Sequence, residues 1–184
     1  IACVISNRED AGGLEAARKA GISTAVISHR NYPDRETFDR DVSAALEKHG
    51  VGLVALAGFM RIQSPWFPGH WAGRQINIHP SLLPAFPGLH VQRQALDAGV
   101  RLSGCTVHFV TPDLDSGPII AQAAVPILAG DTEETLSARI LRQEHRLYPL
   151  VVRWFAEGRI VVAEGRVTVR DIPSGATLLF SPEP

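Results

Sequence analysis

The stretch RETFDRDVSAALEKHGVGLVALAGFM, residues 35–60, decides the fold class of this chain. Its first half predicts a helix from residue 34 or 35 to residue 49, because apolar residues recur at spacings of three and four. This apolar stripe consists of Phe38, Val42, Ala45 and Leu46. Gly50 ends the helix, and the apolar run VGLVALA (51–57) predicts a buried strand. A helix followed at once by a buried strand is typical of an α/β fold.

The same alternation extends along the chain in both directions. Strands are predicted at 1–5, 24–28, 75–78, 104–110 and 118–126. Helices are predicted at 13–20, 89–98 and from 131 or 132 to 155, with an interruption before Pro149 left open. Residues 159–170 predict a β-hairpin around Glu164-Gly165, and the tail SPEP (181–184) is expected to fray. We expect an α/β fold: a mainly parallel, twisted sheet with helices on both faces and a C-terminal β-hairpin.

Length and composition are those of an ordinary globular protein. The 184 residues suit one domain, so we expect 1–184 to be a single domain. The net charge of −1 provides no field for holding nucleic acid or a membrane surface, and we expect neither as a partner. Cys3 and Cys105 both lie in apolar runs, which favours buried, reduced thiols and a cytoplasmic location.

Two polar side chains stand where the strand 75–78 ends. Asn77 and His79 are two residues apart, so on an extended chain they point the same way, and Pro80 then forces a turn. An amide donor beside an imidazole suits acyl transfer, because the amide can stabilise an oxyanion and the imidazole can move a proton. The alternative is structural, with His79 capping the strand end and Asn77 bonding loop backbone. The spacing alone favours this alternative.

Two further loops follow strands of the predicted sheet. In 111–118 (TPDLDSGP), Asp113 or Asp115 is either an ordinary turn residue or a carboxylate that orients a histidine and raises its pKa. In 58–62 (GFMRI), an apolar loop with Arg61 either flanks a flat heterocycle with an acidic tail or packs in the core. His108 alternates with apolar neighbours and is interpreted as a buried structural histidine.

Metal and nucleotide signatures are weak. His79, His90, His108 and Cys105 lack metal-ligand spacing, so we expect no metal. The sequence contains neither a P-loop nor a dinucleotide-binding fingerprint.

Taken together, four segments resemble the formyltransferase family that uses 10-formyltetrahydrofolate. They are AGFMRI (57–62), INIHPSLLPAFPGLH (76–90), SGCTVHFVTPDLDSGPII (103–120) and QEHRLYP (143–149). The resemblance runs from residue 1 to about residue 158 and is weakest in the hairpin and tail. It implies a folate-dependent formyltransferase of the same α/β fold.

The motif after the histidine separates the branches of this family. Methionyl-tRNA formyltransferases are similar at NIHPSLLP but typically carry an arginine where Pro87 stands. Formyltetrahydrofolate deformylases usually differ just after the histidine. Pro87-Gly88-Leu89 resembles the branch that formylates glycinamide ribonucleotide in purine synthesis, with 10-formyltetrahydrofolate as co-substrate.

The resemblance also implies roles for individual residues. The catalytic trio is Asn77, His79 and Asp115. The folate-binding residues are Arg35, Met60, Arg61, Ile62, Gln63, Asn77, Val110, Thr111, Pro112, Asp113, Leu114 and Asp115. The ribonucleotide-binding residues are Leu141, Arg142, Gln143 and Glu144.

One departure from this branch concerns the first residues. Its members begin with a strand and a glycine- and serine-rich loop that cradles the substrate phosphate, whereas Ile1 here resembles the start of the second strand. We therefore expect an N-terminally incomplete domain, with the first strand and phosphate loop missing. The alternatives are an inactive folate-binding member, a related formyltransferase or a formyltetrahydrofolate hydrolase.

Overall fold

A computed structural model describes residues 1–172, and the predicted tail at 181–184 lies outside them. Strands and helices alternate through most of this part of the chain, which confirms the α/β class. The strands are β1 (Cys3–Ser6), β2 (Ser23–Val26), β3 (Val54–Leu56), β4 (Gln75–His79), β5 (Leu102–Phe109), β6 (Ile119–Pro126), β7 (Ile160–Ala163) and β8 (Arg166–Val169). The helices are α1 (Gly12–Lys19), α2 (Arg35–Lys48), α3 (Trp66–His70), α4 (Val91–Asp97) and α5 (Glu133–Ala156).

The chain divides into two compact units. The first contains Ile1–Val54 and Phe59–Arg74, and the second contains Ala55–Gly58 and the described chain from Gln75 onward. The single domain expected from the length remains a prediction.

In the first unit, β1 and β2 pair in parallel, as expected for strands joined through a helix. The connecting helix α1 buries Leu14 and Ala17. The chain leaves α1 at Gly21, whose φ of +70° favours glycine. Helix α2 begins at Asp34, whose side chain accepts a hydrogen bond of 2.8 Å from the backbone N–H of Thr37.

Helix α3 was not predicted, because WFPGH contains proline and glycine and spans little more than one turn. Its contacts with α2 stabilise it. The indole N–H of Trp71 donates to Ser43 Oγ at 3.0 Å, and the buried carboxylate of Asp39 accepts from the backbone and hydroxyl of Ser64. Tertiary packing therefore stabilises a helix whose own sequence has a low helix propensity.

The larger sheet has the strand order β3-β4-β5-β6. The β4–β5 and β5–β6 ladders are antiparallel, a detail that the alternation of strands and helices did not predict. The physical reason for the β5–β6 ladder is the short link 110–118, since a parallel pair needs a longer crossover. Gly104 in β5 has no room for a side chain, because a Cβ there would lie 2.0 Å from the carbonyl oxygen of Ala123.

Helix α5 packs against β5 and β6. Cys105, Val125, Leu136 and Ile140 form the buried cluster between them. The helix begins at a capping box formed by Thr132 and Thr135 and continues through Pro149 without a break. Strands β7 and β8 form the predicted hairpin, whose turn residues Glu164 and Gly165 both have positive φ.

Candidate active site

Asn77 and His79 lie on β4, where their spacing of two places them on one face of the sheet. In the ladder with β5, Asn77 is opposite His108 and His79 is opposite Thr106. Directly opposed residues project on the same side, so these four side chains share a face. Ile78 alternates with them and packs against the cluster under α5.

His79 is the last residue of β4 and only 5% exposed. Its Nε2 lies 3.0 Å from the carbonyl oxygen of Phe86, and its Nδ1 lies 3.5 Å from Asp115 Oδ2. The Phe86 carbonyl can only accept a hydrogen bond, so Nε2 donates to it, and the Asp115 carboxylate faces the other ring nitrogen.

Asp115 is the charged centre of the arrangement. Its side chain is only 9% exposed, and its two oxygens face different imidazoles: Oδ2 faces His79, and Oδ1 lies 3.8 Å from His108 Nε2. The backbone N–H of Gly88 donates to Oδ2 at 2.9 Å. The φ of Asp115 is +49°, a conformation that costs energy for a residue with a side chain. The structure therefore holds this carboxylate in a strained loop position between two histidines.

His108 is buried in β5, as its apolar neighbours predicted. Its Nδ1 donates to the carbonyl of Phe109 at 2.9 Å, and Asn77 Nδ2 lies 3.5 Å from its Nε2. Burial lowers the pKa of His108, which the Phe109 carbonyl and the Asp115 charge partly oppose. The ladder with β6 shifts register between Val107 and His108, and such bulges re-aim side chains.

Hydrogen bonds to the side chain of Thr106 hold the proline-rich loop that follows β4 in place. Its hydroxyl donates to the carbonyl of Ser81 at 2.7 Å and accepts from the backbone N–H of Leu83 at 3.0 Å. The amide nitrogen of Gln122 donates to Thr106 Oγ1 and to the carbonyl of Leu83. This network holds the loop that supplies the Phe86 carbonyl and the Gly88 N–H to the site.

The loop 110–118 begins and ends at one backbone hydrogen bond, from Phe109 N–H to the Pro118 carbonyl at 2.9 Å. Gly117 packs against the Phe109 carbonyl, where only glycine fits, because a Cβ would lie 1.8 Å from the carbonyl oxygen. Of the residues predicted to contact folate here, Pro112, Asp113 and Leu114 are exposed. Val110 and Thr111 are partly buried.

The other predicted folate contacts belong to the first unit. Arg35 is the exposed first residue of α2, while Met60 and Ile62 are 77% and 67% exposed. The guanidinium of Arg61 lies 5.5 Å from the ring centre of Phe38. With Gln63, these residues remain predicted contacts.

The residues predicted to bind the ribonucleotide lie on one stretch of α5. Leu141 and Arg142 are exposed, and Gln143 is partly buried and accepts from Arg146. Glu144 is partly buried, and burial raises the pKa of its carboxyl, while His145 and His79 oppose that rise. Among these four residues, Glu144 therefore lies within electrostatic range of the trio.

Among residues 1–172, no group of three or more histidine, cysteine or acidic side chains could hold a metal ion. The same part of the chain contains no helix long and apolar enough to cross a membrane.

The geometry brings together the three side chains that the sequence singled out. It adds four contributors that the sequence did not indicate: His108 as a polar neighbour, the Phe86 carbonyl, the Gly88 N–H and the Thr106–Gln122 anchor. Backbone groups carry no sequence signal, and the cross-strand register that pairs His108 with Asn77 appears only after folding. Chemically, an amide donor beside a fixed imidazole can stabilise an oxyanion and exchange a proton.

The sequence and fold of this chain are similar to those of known proteins. Residues 1–152 match the family described as formyl transferase. Phosphoribosylglycinamide formyltransferase of Escherichia coli is 51% identical over 164 residues, which are 89% of this chain and 77% of that protein. The trifunctional purine biosynthetic protein adenosine-3 of Drosophila pseudoobscura is 54% identical over 160 residues, 87% of this chain but 12% of that protein. The crystal structure of glycinamide ribonucleotide transformylase 1 from Symbiobacterium toebii superposes with a TM-score of 0.90 at 54% identity, covering 93% of this chain and 81% of that one.

Proposed function

The chain belongs to the formyl transferase family, and from this premise we propose that it moves the formyl group of 10-formyltetrahydrofolate to the amine of glycinamide ribonucleotide in purine biosynthesis. The relatives with these names are 51% and 54% identical to this chain over the aligned residues. The cytoplasmic location expected from the cysteines remains a prediction.

One observation carries the proposal for the site: Asp115 lies against His79, two residues from Asn77 on the same strand face. Uncatalysed transfer from an amide-like formyl donor is slow because negative charge builds on the formyl oxygen as the amine attacks. The amide N–H of Asn77 is one donor for that oxygen, and His79 supplies a second when the substrate displaces the Phe86 carbonyl from Nε2.

The reaction proceeds by direct attack in this proposal. The substrate amine forms a bond to the formyl carbon, the C=O electrons move to oxygen, and the tetrahedral adduct collapses by breaking the bond to the folate nitrogen. One proton leaves the amine and one reaches the folate nitrogen, so the net proton count is unchanged. His79 moves this proton, and Asp115 keeps the imidazole oriented and charged.

The proposal extends to the substrate contacts. In the second unit, loop 110–115 contacts the folate ring system. By the family resemblance, Arg35 and residues 60–63 of the first unit are also proposed as folate contacts. The α5 stretch 141–144 faces the ribonucleotide, and the Glu144 carboxylate accepts hydrogen bonds from its ribose hydroxyls. Arg142 is the cationic side chain of this stretch and interacts with anionic parts of the ribonucleotide.

The test is product analysis in three incubations, two of which contain an amine acceptor. Purified protein is incubated with 10-formyltetrahydrofolate alone, with glycinamide ribonucleotide, and with an amino-sugar nucleotide, while released tetrahydrofolate, formate and formylated amine are measured. The proposal expects formylated ribonucleotide in equal amount to released folate. Formate in place of the formylated amine would indicate a hydrolase. Folate-analogue binding without any product would indicate an inactive member.

A further inference from the structure

His108 differs from the other polar groups of the site because the mechanism above does not use it. It is 2% exposed and faces Asn77 across the β4–β5 ladder. The groups around its ring come from both neighbouring elements: Asn77 and His79 on β4, and Asp115 on the loop between β5 and β6.

The contacts of the ring assign its protons. The Phe109 carbonyl, 2.9 Å from Nδ1, can only accept, so Nδ1 carries a hydrogen. In the neutral ring Nε2 therefore carries a lone pair. The group 3.5 Å from Nε2 is Asn77 Nδ2, the donating end of the carboxamide. Burial favours this neutral ring by lowering its pKa.

We propose that His108 is a positioning residue that fixes the orientation of the Asn77 carboxamide, holding the amide nitrogen toward the imidazole and the amide oxygen away from it. A carboxamide has two nearly isosteric orientations, and its neighbours decide between them. In the orientation that His108 selects, Nδ2 donates one hydrogen to the ring and retains a second for the formyl oxygen. The inference rests on the proposed function, because the formyl oxygen is the group that Asn77 meets.

Without His108, the Asn77 carboxamide can adopt the reverse orientation. Its amide oxygen then lies where the nitrogen was, and its amide hydrogens point in a different direction. A donor pointed away from the developing oxyanion contributes little, because such stabilisation depends on preorganised geometry. Loss of His108 therefore lowers kcat, while binding of the folate is little changed.

A double-mutant cycle tests whether His108 acts through Asn77. His108→Phe is expected to lower kcat on the order of tenfold, and His108→Gln to recover part of it, since a side-chain amide also offers one donor and one acceptor. In the Asn77→Ala background, His108→Phe is expected to cause no further loss. An equal loss in both backgrounds would overturn the proposal.

His49→Phe is the matched control. His49 is a half-buried histidine of the first unit whose Nδ1 lies 2.7 Å from the Ala45 carbonyl and whose Nε2 lies 3.2 Å from Ser23 Oγ. The kcat of His49→Phe is expected to equal that of the wild type. A comparable loss in His49→Phe would attribute the effect to the general loss of a histidine contact and would overturn the proposal.

A second measurement does not depend on activity or on the folding of a variant. Nitrogen-15 NMR of the imidazoles in the wild-type protein at neutral pH is expected to show His108 as the neutral Nδ1–H tautomer. An Nε2–H tautomer or an imidazolium would overturn the positioning proposal even if formyl transfer is observed. If His108 shows the expected tautomer but the protein does not transfer the formyl group, the proposed function is wrong.

Discussion

At the residue scale, the site is built around one carboxylate. Asp115 lies between two imidazoles and accepts from the Gly88 N–H, and its backbone adopts a conformation that favours glycine. A strained residue is retained only where surrounding contacts fix it, and such residues cluster at functional sites. His79 has an acceptor facing each of its ring nitrogens, and one of the two is this carboxylate.

Replacing the carboxylate charge tests this dependence. Asp115→Asn keeps the shape of the side chain but removes the charge that faces His79, and kcat is expected to fall by about a hundredfold. Steady-state kinetics at neutral pH measures the change. Asp97→Asn, which removes an exposed carboxylate paired with Arg93 on α4, is the control and is expected to leave kcat unchanged. Near-normal turnover of a folded Asp115→Asn protein would contradict the assigned role.

At the element scale, β5 and the two loops beside it position the site. Its residues supply His108 and Thr106 to one face, while Cys105 packs under α5 on the other. The alternation of strands and helices predicted most elements, because hydrophobic periodicity records which face is buried. It did not predict α3, the antiparallel ladders or the pairing of His108 with Asn77, since these depend on contacts between segments distant in sequence.

Gly117 lies so close to the Phe109 carbonyl oxygen that a larger residue at this position is expected to clash with it. Gly117→Ala would place a Cβ 1.8 Å from the Phe109 carbonyl oxygen, so it is expected to lower the free energy of unfolding by about 1–3 kcal/mol or more. Urea denaturation measures the change. Gly13→Ala is the control, because a Cβ there meets no atom within 4 Å in helix α1, and a gain of roughly 0.5–1 kcal/mol is expected. Equal stability of the two variants would contradict the close packing of this loop.

The start of α5 predicts a pH dependence of stability. Two hydrogen bonds from Arg139, at 2.6 and 2.8 Å, lower the pKa of Asp131, which also accepts from the Leu128 N–H. Because the folded-state pKa lies below that of the unfolded chain, this stabilisation is present at neutral pH and is lost as the pH falls below roughly 4. Asp131→Asn is therefore expected to cost about 2 kcal/mol at pH 7 and progressively less in acid.

Urea denaturation across this pH range measures the difference from the wild type. Asp97→Asn is again the control, because an exposed pair of this kind contributes at most about 0.5 kcal/mol. A cost for Asp131→Asn that stays constant into acid would show that the charge of Asp131 does not contribute.

At the scale of the whole molecule, the chain matches its relatives over most of its length, with 89% of its residues aligned to the E. coli enzyme. The motifs at 76–90 and 103–120 predict the family and the three central side chains, because the residues of this site come from two short segments of the sequence. The substrate contacts predicted at 60–63 and 141–144 rest on the shorter motifs AGFMRI and QEHRLYP, and a sequence motif does not fix the distance from a side chain to a ligand.

Binding of the co-substrate predicts a change in global stability. A folate analogue that cannot transfer its formyl group, present at a hundred times its Kd, is expected to raise the free energy of unfolding by about 2.7 kcal/mol. Thermal denaturation with and without the analogue measures the shift. Asp97→Asn is the control, and the analogue is expected to raise its free energy of unfolding by the same amount. The absence of any shift at millimolar analogue would contradict folate binding by this chain.

The central claim is that His79 serves a direct transfer of the formyl group, and isotope transfer tests it most directly. Wild type, His79→Ala and the control His49→Ala are each given folate carrying a labelled formyl group and glycinamide ribonucleotide, and the label in the formylated product is counted. We expect rapid transfer by the wild type and by His49→Ala, and a loss of about a hundredfold or more in His79→Ala. Equal transfer by all three proteins would contradict it.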